Sequence, residues 1–160
     1  MHALVCLSGL ESRRFMARAL ALLPRPELRL TLLYVADTRP PHEAGYARRA
    51  LHWAGLGPDP AEVERVERAI AAEVFAEAAA VTAGAGLGAD RIATHLVTGR
   101  PEREIVRLGA EQAADVIVIG AHHRGGPLTG PASVGPVARY VLDHAAGPVL
   151  LLRSERADDD

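Results

Sequence analysis

The chain has 160 residues, about one ordinary domain, with 49% hydrophobic and 24% charged residues, which excludes a disordered protein. A net charge of −2 argues against a nucleic-acid partner, which needs a strongly basic face. One cysteine, Cys6, excludes a disulfide framework, and its apolar neighbours predict a buried structural thiol. All 18 residues of the Lys and Arg count are arginine, so a bound phosphate needs arginine or protonated histidine as its cation.

The first half of the sequence predicts two strands and two helices. Residues 3–8 are an apolar run closed by Ser-Gly, which is typical of a strand buried on both faces. Helical spacing of apolar residues predicts a helix over 10–22, ended by Pro24. A second strand is predicted over 28–35, and a helix rich in Ala, Glu and Val over 61–83.

The second half repeats the alternation of strands and helices. Residues 91–98 predict a third strand, and Pro101 marks the start of a helix. The apolar stripe of that helix is predicted to be Ile105, Leu108 and Ala113. A fourth strand is predicted over 116–119 and a glycine-rich loop over 121–133. A helix that begins at 134 or 137 and ends at 145 follows, and a fifth strand is predicted over 148–152.

This alternation predicts a three-layer α/β/α domain with one parallel sheet between helices. Ligands bind such sheets at the carboxyl ends of the strands, where the strand order reverses. The first and fourth strands are expected to flank that crevice. Ser8 and Gly120, which follow these two strands, would then line it. We expect a single domain over 1–154 and a frayed acidic tail over 155–160.

We also expect a cytoplasmic protein. No apolar stretch approaches the roughly 20 residues of a membrane helix. The first strand begins so near the amino terminus that a signal peptide is not expected.

Residues 38–60 are interpreted as an insertion after the second strand, rich in Gly and Pro, with a short helix predicted over 43–53. Two interpretations stay open. As a lid over the crevice, the insertion would bring Arg48 or Arg49 to a phosphate. As a surface helix, it would pack apolar residues such as Trp53 on the domain or on a dimer partner.

The glycine-rich loop follows a strand and opens a helix, an arrangement in which backbone N–H groups and the helix dipole bind anions. Its basic side chains and the glycines directly after them are His122, His123, Arg124, Gly125 and Gly126. Arg124 can form a bidentate contact with a phosphate. The same composition is also typical of a proline-stiffened surface loop. A metal site at the paired histidines is not expected, because no acidic residue lies nearby in sequence.

Together these segments resemble a single-domain universal stress protein. The resemblance is carried by residues 3–9, 32–37, 98–101 with Glu104-Ile105, 114–120 and 137–150. It implies a Rossmann-like, adenine nucleotide alpha hydrolase-like fold with five parallel strands in the order 3-2-1-4-5. It also implies a stress-response regulator and a homodimer, often formed through the last strand.

Many members of that family bind ATP, with Mg²⁺, through a Gly-x2-Gly-x9-Gly-Ser/Thr loop between the fourth strand and the last helix. In those members an Asp ends the first strand, and a Val near the end of the second strand contacts the nucleoside. Gly120, Gly135 and Val35 match positions of that family site. With the neighbouring loop and strand residues, the predicted nucleotide site comprises Leu7, Ser8, Val35, Gly120, His122, His123, Arg124, Gly125, Gly126, Ser133, Gly135, Pro136 and Val137.

Three residues depart from the family motif. His123 stands at the second glycine, and the gap from it to Gly135 is two residues longer than the motif. Pro136 replaces the Ser/Thr and removes a hydroxyl and an N–H donor, although Ser133 is placed to supply a hydroxyl. Ser8 replaces the Asp of the first strand and removes a charged acceptor.

Two functions therefore stay open. One is a regulator that binds an adenine nucleotide and hydrolyses it slowly at most. The other is a dimeric interaction module of the same fold that binds no nucleotide. A third, an ATP-using enzyme with a Ser-Gly loop at Ser8-Gly9, has little support because no catalytic constellation follows that loop.

Overall fold

The computed structural model describes residues 1–9, 12–37, 60–121 and 134–153. Within these segments five strands and four α-helices alternate, with a short 3-10 turn before the third strand. The strands β1 to β5 are His2–Leu7, Arg29–Asp37, Ile92–Gly99, Val116–Ala121 and Val149–Arg153. The helices α1 to α4 are Ser12–Leu22, Pro60–Gly84, Pro101–Glu111 and Pro136–His144.

The sheet has the predicted architecture. All its strands are parallel, and their order is β3-β2-β1-β4-β5. The central strand β1 pairs on both sides, so that Val5 lies beside Leu32 of β2 and Val118 of β4. Because the strand order reverses at β1, the carboxyl ends of β1 and β4 form the switch point where such sheets bind ligands.

Each face of the sheet is covered by one apolar cluster. The first cluster joins β-strand residues such as Val5 and Leu32 to Met16 of α1 and Val74 of α2. The second cluster lies on the other face and joins strand residues to helices α3 and α4, through Leu4, Leu33, Ile117, Ile105 and Val141. Since successive strand residues alternate between faces, strands buried on both sides need continuous apolar runs. These runs made the strands recognisable in the sequence.

Three boundaries near the carboxyl edge of the sheet differ from the prediction. Strand β2 continues to Asp37, because its pairing with β3 extends to Gly99. Strand β4 continues to Ala121, which pairs with Arg153, so the loop predicted from residue 121 begins after it. Helix α2 begins at Pro60, which the sequence assigned to the insertion, because proline is favoured at the first position of a helix.

The predicted apolar stripe of α3 is correct at two of its three positions. Ile105 and Leu108 are buried, whereas Ala113 lies beyond the helix end, is exposed and has a φ of 46°. Buried Gly109 completes the stripe instead. A Cβ added at Gly109 would lie 2.7 Å from Ile117 Cδ1, so the missing side chain lets α3 lie close to β4.

Several predictions concern residues outside the described segments. The short helix over 43–53, the lid arginines Arg48 and Arg49, and the acidic tail over 155–160 all lie there. Among the helices that the structure describes, none is long and apolar enough to span a membrane.

Candidate functional site

The candidate site lies at the carboxyl edge of the sheet, on the face covered by α3 and α4. Leu7 of β1 pairs with Tyr34 of β2, so Ser8 and Val35 follow at the same level. Two residues beyond the pair Val5 and Val118, strand β4 reaches Gly120 at this edge. Val35 packs against the second cluster, as do residues at the start of α4. The walls are therefore the ends of β1, β2 and β4 and the first turns of α3 and α4.

The structure describes part of the predicted nucleotide site. The described members are Leu7, Ser8, Val35, Gly120, Gly135, Pro136 and Val137, and all lie at this edge. The members that lie outside the described residues are His122, His123, Arg124, Gly125, Gly126 and Ser133.

The start of α4 offers backbone donors. Gly135 is the N-cap, no side chain caps the helix, and Pro136 occupies the first helical position. The N–H of Arg139 donates to the carbonyl oxygen of Gly135 at 2.9 Å, which is the first bond of the helix. The N–H groups of Val137 and Ala138 come before that bond and have no acceptor within the helix. They are therefore positioned to donate to an anion.

No described residue packs beside these donors at Gly135. A Cβ added at Gly135 would meet no atom within 4 Å among the described residues, and its φ of −60° and ψ of 162° suit any residue. Packing thus gives no reason for glycine at this position. A Cβ added at Gly120 would make only an ordinary contact, 3.6 Å from Phe15 Cε2.

Two predicted site residues use their side chains for packing. Leu7 is 7% exposed and belongs to the first cluster, on the face away from α4. Val137 packs against the second cluster. Leu7 can therefore contact a ligand at this edge only through its backbone, whereas the half-buried Val137 keeps part of its side chain exposed. Val35 is half-buried on the α3–α4 face and remains a candidate for side-chain contact.

The sequence reasoning missed a group of buried acidic residues near this edge. Asp37, the last residue of β2, is 6% exposed, and Glu67 of α2 is 5% exposed. The hydroxyl of Tyr34 donates a hydrogen bond to Glu67 Oε2 at 2.9 Å. Burial raises the pKa of Tyr34 most, and the charges of Glu67 and Asp37 and the hydrogen bond to Glu67 raise it further. The local negative charge is therefore considerable.

One signal for Glu67 was present in the sequence. Its neighbours at helical spacing, Val63, Ala71 and Val74, are buried, so an acidic residue stands on the apolar stripe of α2. A charged residue on such a stripe indicates a buried polar partner, because an unpaired buried charge is very costly.

A half-buried acidic residue lies in the first turn of α3. Glu102 Oε1 is 3.2 Å from the Nε of Arg100, and the Glu102 side chain is 13% exposed. Its other oxygen, Oε2, is buried and has no hydrogen-bond partner among the described residues. In the sequence, a glutamate after Pro101 is simply the acidic residue that helix starts favour, so nothing there marked it as unusual.

Two arginines at this edge lie where the helix dipole disfavours a cation. Arg13 and Arg14 lie in the first turn of α1, are exposed, and have no acidic residue beside them in that turn. Cations near a helix start are disfavoured by its positive end. The placement is one that a bound anion would make favourable.

Cys6 packs in the interior, although it is less buried than its apolar sequence context predicted. The residue is half-buried in β1 and packs against the second cluster. Burial raises the pKa of the Cys6 thiol well above its usual range. The thiol therefore stays protonated near neutral pH and is a poor nucleophile.

A cavity also lies at the other end of the sheet. It has a volume of about 430 Å³ and is lined by Met1, Glu27, Arg29, Asp90 and Arg91. Its lining mixes cations and anions on exposed segments. We place the candidate site at the carboxyl edge because the unpaired donors of α4 and the unpaired oxygen of Glu102 are found there.

Comparison with solved structures supports this architecture. UspA, a universal stress protein from Lactobacillus plantarum, is 24% identical with a TM-score of 0.65, over 96% of this chain and 97% of that chain. A universal stress protein family protein from Arabidopsis thaliana with AMP bound is 14% identical with a TM-score of 0.65, over 100% of this chain and 95% of that one. The universal stress protein from Archaeoglobus fulgidus in complex with dAMP is 20% identical with a TM-score of 0.59, over 94% of this chain and 96% of that chain.

At these identities the solved structures show a shared fold and no more. No curated protein matches the sequence. The model of the universal stress protein family matches residues 1–153, which is nearly the whole chain. The chain therefore belongs to the universal stress protein family.

Proposed function

We propose that this protein is a stress-response regulator that binds an adenine nucleotide at the carboxyl edge of the sheet. The observation that carries the proposal is the start of α4, where backbone donors have no helix partner and no described residue packs against Gly135. Solved relatives with AMP and dAMP bound have the same fold and support an adenine nucleotide as the ligand.

In this proposal the phosphates lie at the loop that joins β4 to α4. The N–H groups of Val137 and Ala138 donate to phosphate oxygens, and the helix dipole favours the negative charge there. Arg124 and a protonated His122 or His123 supply the positive charge that lysine provides elsewhere. Gly125 and Gly126 keep this loop pliable, and Ser133 supplies the hydroxyl that Pro136 lacks, so that these residues compensate for the departures from the family motif.

The nucleoside lies toward β1 and β2 in this arrangement. Val35 offers an apolar surface to the base, and Ser8 offers a hydroxyl where the family motif has a carboxylate. ATP, with Mg²⁺, is the proposed ligand, and its occupancy rather than its turnover carries the regulatory signal.

The alternative is an interaction module that binds no nucleotide. Pro136 favours it, because proline at the first helical position offers no N–H to a phosphate. The module would act through a homodimer formed at β5, which is the last strand of the sheet and pairs with β4 alone. Sedimentation velocity tests the dimer, for which we expect twice the mass of one chain.

A glycine substitution tests the nucleotide site. Gly135→Ala adds a methyl group beside the donors of α4, so we expect it to weaken the binding of ATP with Mg²⁺ by about ten-fold or more. The free energy of unfolding should change by no more than about 1 kcal/mol. Gly84→Ala is the matched control, since an added Cβ there also meets nothing within 4 Å but lies at the end of α2, far from the site.

The outcomes separate the two functions. Equal affinity of the wild type and Gly135→Ala for ATP would refute the placement of the ligand at α4. A wild-type chain that binds no adenine nucleotide at millimolar concentration would refute the nucleotide proposal and leave the interaction module.

A further inference from the structure

The unpaired oxygen of Glu102 is an unusual feature of this fold. One carboxylate oxygen of Glu102 is paired with Arg100 at 3.2 Å, while the other is buried and accepts no hydrogen bond from the part of the chain that the structure describes. A buried polar atom without a partner costs free energy, and the cost is larger when the group is charged. Such an atom in a native fold calls for an explanation, and a hydrogen-bond donor that binds from outside the chain is one.

The position of Glu102 places that partner at the candidate site. Glu102 is the second residue of α3, which follows the carboxyl end of β3. There Gly99 pairs with Asp37, the last residue of β2, two residues after Val35. Residue 102 therefore lies beside the carboxyl ends of β2 and β3, at the edge of the sheet that holds the candidate site.

The charges at this edge differ between its two sides. The β4–α4 side carries unpaired N–H donors and the positive end of a helix dipole. The β2–α3 side carries the buried carboxylate of Asp37 and the half-buried carboxylate of Glu102, whose Oε2 atom is buried. A phosphate is repelled by carboxylates, so it binds on the α4 side, and the uncharged nucleoside extends toward Glu102.

We propose that Glu102 Oε2 accepts a hydrogen bond from the nucleoside of the bound nucleotide, from the exocyclic amine of the base or from a ribose hydroxyl. A carboxylate is an acceptor only, and both of these groups are donors. Glu102 thus supplies the charged acceptor that the chain lacks at Ser8, from a different element of the fold. This inference rests on the proposed nucleotide function.

Two substitutions at Glu102 test the role. Glu102→Met keeps the length of the side chain and removes both acceptors, so we expect the Kd for AMP to rise by about 10- to 100-fold. Glu102→Gln keeps a neutral acceptor and should give a smaller rise. Glu111→Gln is the control, because Glu111 lies at the opposite end of the same helix and pairs with Arg107 at 2.7 Å.

Two analogues of AMP identify the donor. Purine riboside monophosphate lacks the exocyclic amine, and 2′,3′-dideoxyadenosine monophosphate lacks both ribose hydroxyls. The penalty of Glu102→Met should vanish for the analogue that lacks the donor. If both analogues retain the full penalty, the assignment to a nucleoside donor is wrong.

Stability separates a ligand role from a structural one. Glu102→Gln removes a buried charge, so we expect the urea midpoint of the free protein to stay the same or rise. A lower midpoint with unchanged affinity for AMP would show a structural role and overturn the inference. If the wild type binds AMP and both Glu102 variants bind it with the same affinity, the inference about Glu102 is overturned while the proposed function stands. A wild type that binds neither AMP nor ATP would overturn both.

Discussion

The buried hydrogen bond between Tyr34 and Glu67 gives a quantitative prediction. Tyr34 is 7% exposed, and its hydroxyl donates to the buried carboxylate of Glu67 at 2.9 Å. Tyr34→Phe removes this donor and leaves the buried carboxylate with one partner fewer. A hydrogen bond to a charged group is worth about 1.5–3 kcal/mol, so we expect that loss of unfolding free energy at about pH 8. For a chain of this size the loss corresponds to a fall in Tm of about 3–12 °C.

The pH dependence of this loss follows from the raised pKa of Tyr34. Above about pH 10 the unfolded chain releases the tyrosine proton, while the folded chain keeps it. The stability contributed by Tyr34 is therefore fully present below pH 10 and decreases above it, by about 1.4 kcal/mol for each pH unit. The difference between the wild type and Tyr34→Phe should shrink at this rate as the pH rises.

Urea unfolding of both proteins between about pH 8 and pH 11 measures the effect. Tyr140→Phe is the matched control, because Tyr140 lies on α4, stacked on His144, away from Glu67. We expect this control to change the stability little. Equal stability of Tyr34→Phe and the wild type at pH 8, or a difference that stays constant above pH 10, would refute the reasoning.

Two further predictions concern the core. Gly109→Ala should destabilise the fold by about 1–2 kcal/mol, because its Cβ would lie 2.7 Å from Ile117 Cδ1. Ile117→Val removes that Cδ1 atom, so Gly109→Ala should lower the free energy of unfolding by less in the double variant than alone. If the changes in unfolding free energy of the two substitutions simply add, as measured with urea, the close approach is contradicted. Cys6, the single cysteine, should react with a thiol reagent about 100-fold or more slowly in the folded than in the urea-unfolded chain, because burial raises its pKa. Rapid labelling of the folded protein would show that the thiol is accessible and ionised.

The sequence predicted the architecture well, because buried parallel strands must be apolar on both faces. Strands β1 and β4 could be recognised from a few consecutive residues for this reason. Their ends were less predictable. The pairing of Asp37 with Gly99 and of Ala121 with Arg153 is a tertiary property, and local composition does not show it.

The acidic residues near the site show a second limit of prediction from sequence. Glu67 could be suspected from its position on an apolar stripe, but its partner Tyr34 lies 33 residues earlier in the chain and meets it only in the fold. Glu102 follows a proline at a helix start, where an acidic residue is ordinary. Its significance depends on the burial of one oxygen atom, which only the folded structure shows.

Affinity of the unmodified protein for adenine nucleotides tests the central proposal most directly. Isothermal titration of the wild-type chain with AMP, and with ATP in the presence of Mg²⁺, measures it. We predict saturable binding at one site per chain with a Kd below about 1 mM. No binding of either nucleotide at millimolar concentration would contradict the proposal.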